Sequence, residues 1–154
     1  MTRPPRSFED LCIGERRQSG DIVVTQAEMV AFARRYDPQW FHSDVDAAKD
    51  SHFGEVVASG VYVLALWRQM DHQINGDIDF VCGVGFDNLR IKTALRSGDR
   101  VHVTSEITGL KPSETGKARG TAMTLYKMIN QAGEVVVSFT SINLVYTRAA
   151  RGSH

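Results

Sequence analysis

SGVYVLALWRQMDHQING, residues 59–76, is the stretch whose reading decides the fold. Ser59-Gly60 opens it and Asn75-Gly76 closes it, the residue types that start and stop helices. Between them Val63, Leu66, Trp67 and Met70 share one helical face, and the opposite side stays mostly apolar until Arg68. A helix that is apolar nearly all round belongs inside a protein. The spacing predicts a long central helix that other elements must enclose.

Those elements follow at once. From Asp79 onward the rhythm changes to that of strands, with segments at Phe80–Lys92, Arg100–Leu110, Lys117–Ile129 and Glu134–Tyr146. Alternation of period two is clearest in Val101, Val103 and Ser105, and again in Val135, Val137 and Phe139. Ser97-Gly98-Asp99, Pro112 to Gly116 and Asn130 to Gly133 supply turn chemistry between them. Long strands in series imply an antiparallel sheet, so the expected class is α+β, with the sheet wrapped around the helix.

Upstream, Ile22 to Val24 reads as a short strand or extended lead-in. Thr25-Gln26-Ala27-Glu28 fits a capping box, and Met29, Phe32, Ala33 and Tyr36 continue it as a helix with one buried face. Pro38 ends that helix, because the residue before a proline avoids the α region. Ser43 or Asp44 is placed to cap a further short helix through Ala47 and Ala48, broken by His52-Phe53-Gly54.

Composition narrows the function classes. The 154 residues suit one domain, assigned here to residues 1–150, and the final RGSH reads as an expression-tag remnant. Eighteen basic and eighteen acidic residues cancel, so no global field favours nucleic acid or a membrane surface. Cys12 and Cys82 are too few for a disulfide framework and read as reduced thiols of a cytoplasmic protein. The N-terminal arginines precede no apolar signal region, and no apolar run reaches the ~18 residues of a membrane helix. No histidine has zinc-ligand spacing, so no metal is expected.

One stretch asks for chemistry. YDPQWFH, residues 36–42, puts Asp37 at a helix C-terminus, where a carboxylate opposes the macrodipole, and then crowds Trp40, Phe41 and His42 into one bend. Taken alone, Asp37 and His42 fit either a turn hydrogen bond beside a loop histidine or a proton-handling pair. Trp40 and Phe41 have three readings: the wall of an apolar tunnel, a subunit contact, or core packing.

Four segments, FARRYDPQWFHSDVDAA (32–48), FGEVVASG (53–60), GFDNLRIKTALRSGD (85–99) and INQAGEVVVSFTSINLVYTR (129–148), together resemble the MaoC-like dehydratases and (R)-specific enoyl-CoA hydratases, which have the hot-dog fold. The family's hydratase motif runs Asp, any residue, Asn, Pro, any residue, His. Asp37 and His42 match its ends, whereas Gln39 stands where Asn is usual and the proline is at 38. The resemblance implies a hydro-lyase that interconverts enoyl and β-hydroxyacyl thioesters. Asp37 would be general base on water and His42 would hold that water and share its proton. Backbone amides near Gly60 and Val61 would receive the enolate oxygen, and Ser59 would either cap the helix or contact ligand. It also implies no cofactor beyond the coenzyme A or acyl carrier protein of the substrate, and at least a homodimer. Arg90, Lys92, Arg96 and Arg100 are a basic stretch that suits coenzyme A phosphates or, equally, solvated strand positions. Two rival readings stand beside this one: a hot-dog acyl-CoA thioesterase and a non-catalytic acyl-thioester-binding subunit.

Overall fold

Four of the six strands take up the C-terminal half of the chain. In the computed structural model, which describes residues 2–152, β1 (Arg16–Gln18) and β2 (Ile22–Val23) precede α1 (Gln26–Tyr36). A single helical turn α2 (Trp40–Ser43), a 3-10 turn at Ala47–Asp50 and the long α3 (Gly60–Asn75) come next. The strands β3 (Phe80–Ile91), β4 (Arg100–Pro112), β5 (Arg119–Ile129) and β6 (Val135–Tyr146) follow, and α4 (Arg148–Arg151) ends the description. Residues 153 and 154 of the supposed tag, and Met1, lie outside the described residues.

Every strand pair is antiparallel, in the order β1-β4-β5-β6-β3, with β2 also on β4. The expected α+β architecture is thus the observed one. Alternation sets the faces: Val101, Val103, Ser105 and Ile107 of β4 and Ala122, Thr124, Tyr126 and Met128 of β5 are buried, and their neighbours are less so. Val63, Leu66, Trp67 and Met70 of α3 join Val101, Val103, Tyr126, Met128, Val137 and Phe139 of the sheet in one core. Each such side chain contributes about 1.5–3 kcal/mol by leaving water. Gly98, with φ of +88°, makes the Ser97-Gly98-Asp99 turn, and Asp99 Oδ2 accepts the Arg96 N–H at 2.8 Å.

Several expectations need correction. α3 is not enclosed all round: Val61, Ala65, Arg68, Gln69, His72 and Gln73 are exposed, because the sheet covers only one side of it. Asp71 and Asn75 are buried on that helix, a polar pair that apolar periodicity cannot register. Asn75 Nδ2 donates to Asp71 Oδ1, Ser105 Oγ and Tyr126 Oη, and Arg68 Nη1 pairs with Asp71 Oδ2 at 2.7 Å. Burial and the Asp71 charge push the Tyr126 hydroxyl far above its ordinary value. The capping box forms by half. Thr25 Oγ1 accepts the Glu28 N–H, but the Glu28 carboxylate turns to the Tyr62 hydroxyl at 3.2 Å instead. Burial, with that carboxylate, pushes Tyr62 up to about 12.

β3 is an edge strand. Its ladder with β6 carries three register shifts, and Val84, Phe86 and Ile91 are about half exposed. Unpaired backbone on such an edge is open to a further strand.

Candidate active site

α1 ends as its sequence demands. Tyr36 is its last residue, Asp37 is the C-cap with an N–H still bonded to Ala33 O at 2.9 Å, and Pro38 turns the chain away. Gln39 O then accepts the N–H groups of His42 and Ser43 at 2.9 and 3.0 Å, which closes the turn α2. That turn swings His42 back over Asp37. The sequence signals a bend here but not this helical turn, since four residues are too few to show a period.

The carboxylate that opposes the dipole of α1 faces the opposite pole of another helix. Ser59, the N-cap of α3, donates its hydroxyl to Asp37 Oδ2 at 2.6 Å and accepts the Val61 N–H on Oγ at 3.2 Å. Asp37 thereby sits at a positive helix end, which accounts for its position. Gln39 Nε2 donates to Asp37 Oδ1 at 3.0 Å. The Ser59 hydroxyl, then the Gln39 amide, and more weakly His42, hold the Asp37 carboxyl below its ordinary 3.8, against a smaller opposing effect of desolvation. It is ionised throughout the neutral range.

His42 Nε2 lies 3.7 Å from Asp37 Oδ2, beyond a hydrogen bond and close enough for one water to touch both. Its ring is nearly closed off, with 9% of the side chain accessible against 22% for Asp37. Nδ1 is 2.7 Å from Val57 O, a group that only accepts, so Nδ1 donates and carries the hydrogen. In the neutral ring Nε2 is then the basic nitrogen, and it is the one turned to Asp37. Phe41 lies against the imidazole with ring centroids 4.3 Å apart, and Phe53 stands 6.1 Å beyond Phe41. Trp40 projects half exposed at the edge of Phe41. Of its three readings, core packing is excluded by that exposure.

The structure thus brings Asp37, His42 and Ser59 together, and Ser59 both caps the helix and holds the carboxylate. Val61 departs from expectation: its N–H is taken by Ser59 Oγ, and its side chain is exposed. The Gly60 N–H, first in the helix, finds no acceptor among the described residues. A Cβ at Gly60 would meet the Ile91 Cδ1 methyl of β3, so the glycine also lets an edge strand pass close to the helix start. Two positioning contacts escaped the sequence, Val57 O and the Gln39 amide. The first is backbone and leaves no residue-type signal; the second was visible only as a departure from a motif.

Of the basic stretch, Arg96 is already engaged, donating to Phe53 O and to Glu55 at 3.0 Å each, which ties the 53–58 segment to the Leu95–Arg96 backbone. Arg90, Lys92 and Arg100 are exposed. No cluster of three or more His, Cys, Asp or Glu side chains that could hold a metal occurs among the described residues.

An antiparallel sheet on one long helix defines a hot-dog domain, here with a carboxylate and an imidazole at the start of that helix. A Mycobacterium tuberculosis protein described as a double hot-dog fold superposes with a TM-score of 0.76 at 14% identity, covering 94% of this chain and 45% of that one. Residues 10–142 match the MaoC like domain, and the chain belongs to that family. It is similar to 3-hydroxyacyl-thioester dehydratase Z of Mycobacterium tuberculosis, 28% identical over 150 residues that cover 91% of this chain and 99% of the relative. It is also similar to a MaoC-like dehydratase from Rhodospirillum rubrum, whose crystal structure superposes with a TM-score of 0.85 at 32% identity over 93% of this chain and 98% of that one.

Proposed function

We propose that the protein is a hydro-lyase that interconverts an enoyl thioester and a β-hydroxyacyl thioester, with coenzyme A or an acyl carrier protein entering as part of the substrate and no organic cofactor of its own. One observation carries this reading: an ionised carboxylate and the basic nitrogen of a buried imidazole converge within 3.7 Å, beside the serine that opens α3. The name of the Mycobacterium tuberculosis relative supports it.

In hydration, a water between Asp37 and His42 points one hydrogen at Oδ2 and the other at Nε2. Both its hydrogens then have acceptors, and an oxygen lone pair is left for the β carbon. Asp37 takes a proton as the C–O bond forms, and electrons move through the α carbon onto the thioester oxygen. The Gly60 N–H, at the positive end of α3, is the donor that meets that oxygen. The proton then returns from the pair to the α carbon, so the site ends as it began. Dehydration runs the same steps backwards.

Incubation with crotonyl-CoA and longer enoyl-CoAs tests the reading. Loss of the conjugated absorbance without release of free thiol is the expected result. Thiol release would make the protein a thioesterase, and binding with neither change would make it a non-catalytic acyl-thioester subunit. The two proton acceptors set around one water position favour addition to a double bond over either rival.

The same reading includes a homodimer. The open edge of β3 and the exposed apolar Val61, Val84 and Phe86 offer surface for a second copy to cover. Sedimentation at micromolar concentration is expected to give twice the 17.1 kDa chain mass, and Phe86→Lys to shift the protein toward monomer. A fully active monomer would overturn this. Free, exposed Cys12 and Cys82 suit the reducing cytoplasm, the compartment we infer.

A further inference from the structure

We propose that Gln39 is the residue that orients the Asp37 carboxylate: its side chain pins one carboxylate oxygen while its own carbonyl starts the turn that carries His42. The inference rests on the hydro-lyase reading for its catalytic consequence, and on geometry for the contact itself. Gln39 occupies the N-cap of α2, where a side chain ordinarily serves its own helix, yet it makes no such bond. Nε2 instead reaches back to Asp37 Oδ1 at 3.0 Å. Its backbone oxygen meanwhile accepts from His42 N, Ser43 N and Ser43 Oγ, at 2.9, 3.0 and 2.9 Å. One residue therefore sets where the imidazole is carried and how the carboxylate is turned.

The need for such a clamp follows from what holds the other oxygen. Ser59 grips Oδ2 through a single hydroxyl, about which the carboxylate plane can still rotate. A second donor on Oδ1 removes that rotation and keeps an Oδ2 lone pair toward Nε2 of His42. Each carboxylate oxygen has about two lone-pair sites, so both clamps leave room for a water. The residue type also matters. At this position an amide is the neutral donor; a glutamate of the same length would set a like charge against Asp37.

Two readouts test the proposal, one of which needs no activity. The titration of the Asp37 side-chain carboxyl, followed by carbon-13 NMR in the free protein, is expected to move to higher pH in Gln39→Ala and further in Gln39→Glu. With crotonyl-CoA, Gln39→Ala is expected to lower kcat about tenfold at unchanged KM, the pattern of a lost transition-state contact. The acid limb of its kcat profile should rise with the NMR titration. The side chain is exposed, so melting should stay within about 2 °C of the parent, which separates positioning from folding. An Asp37 titration that does not move in either variant overturns the proposal, and so does an unchanged kcat despite a moved titration. If the parent protein proves inactive on every enoyl thioester, the hydro-lyase reading fails, while the NMR titration still decides whether Gln39 holds the carboxylate.

Discussion

Asp37→Asn is expected to slow enoyl-thioester hydration by about 10³-fold while the protein keeps its fold. Asparagine has the same shape and retains one oxygen for a donor from Ser59 or Gln39, but it cannot accept a proton from water. The measurement is kcat/KM on crotonyl-CoA, with circular dichroism and a denaturant titration to establish folding. A variant within threefold of the parent rate would remove Asp37 from the mechanism. The pH dependence has a definite sign. Because the Asp37 carboxyl is held below its ordinary 3.8 by Ser59 and Gln39, its base form persists to more acid pH than a free aspartate's. The stability these bonds contribute is fully present above the unfolded value and is lost as pH falls through the lowered folded one. The acid limb that belongs to Asp37 should therefore lie below pH 3.8, and Ser59→Ala should move it upward.

His42→Ala should cost about 10²–10³-fold in the same assay, with a second effect that Asp37→Asn lacks. The imidazole donates to Val57 O in a closed site, so its loss leaves that carbonyl without a partner, at about 1–3 kcal/mol of stability. Rates must be taken well below the lowered melting point. His42→Gln offers an amide donor for Val57 O without a basic nitrogen facing Asp37, so it should recover stability and not rate. Recovery of both would show that the imidazole only supports the loop.

What could be read before the structure was local in origin. Thr25, Pro38 and Gly76 act on the backbone within a turn of themselves, and the bounds of α1 and α3 fall where they predict. β4, β5 and β6 carry their own alternation and were visible for that reason, whereas β3 has none and was read from its residue types alone. β1, by contrast, is Arg16-Arg17-Gln18, with no alternation at all; its form is imposed by pairing with Thr104 to Glu106 of β4. The buried Asp71 takes Arg68 and Asn75 from α3 itself, but its third partner, the Tyr126 hydroxyl, comes from β5, which no window of α3 contains. At the site the Asp37–His42 pair was legible through its match to the two ends of the family motif, since the spacing alone left both readings of it open. The Ser59 contact spans 22 residues and the Val57 contact 15, so both exist only through tertiary packing. The opposition of Asp37 to its own helix was the one hint that a second helix must be waiting.

Proton acceptors that share one hexapeptide cannot drift far from each other, whatever the rest of the molecule does, for the chain tethers them. In the proposed reaction the donor to the thioester oxygen comes from a separate helix, which the hydrogen bonds from Ser59 to Asp37, His42 to Val57 O and Tyr62 to Glu28 hold against that tether. The donor's distance from the pair is therefore set by tertiary packing alone, so loosening those contacts is expected to lower the rate without separating Asp37 from His42.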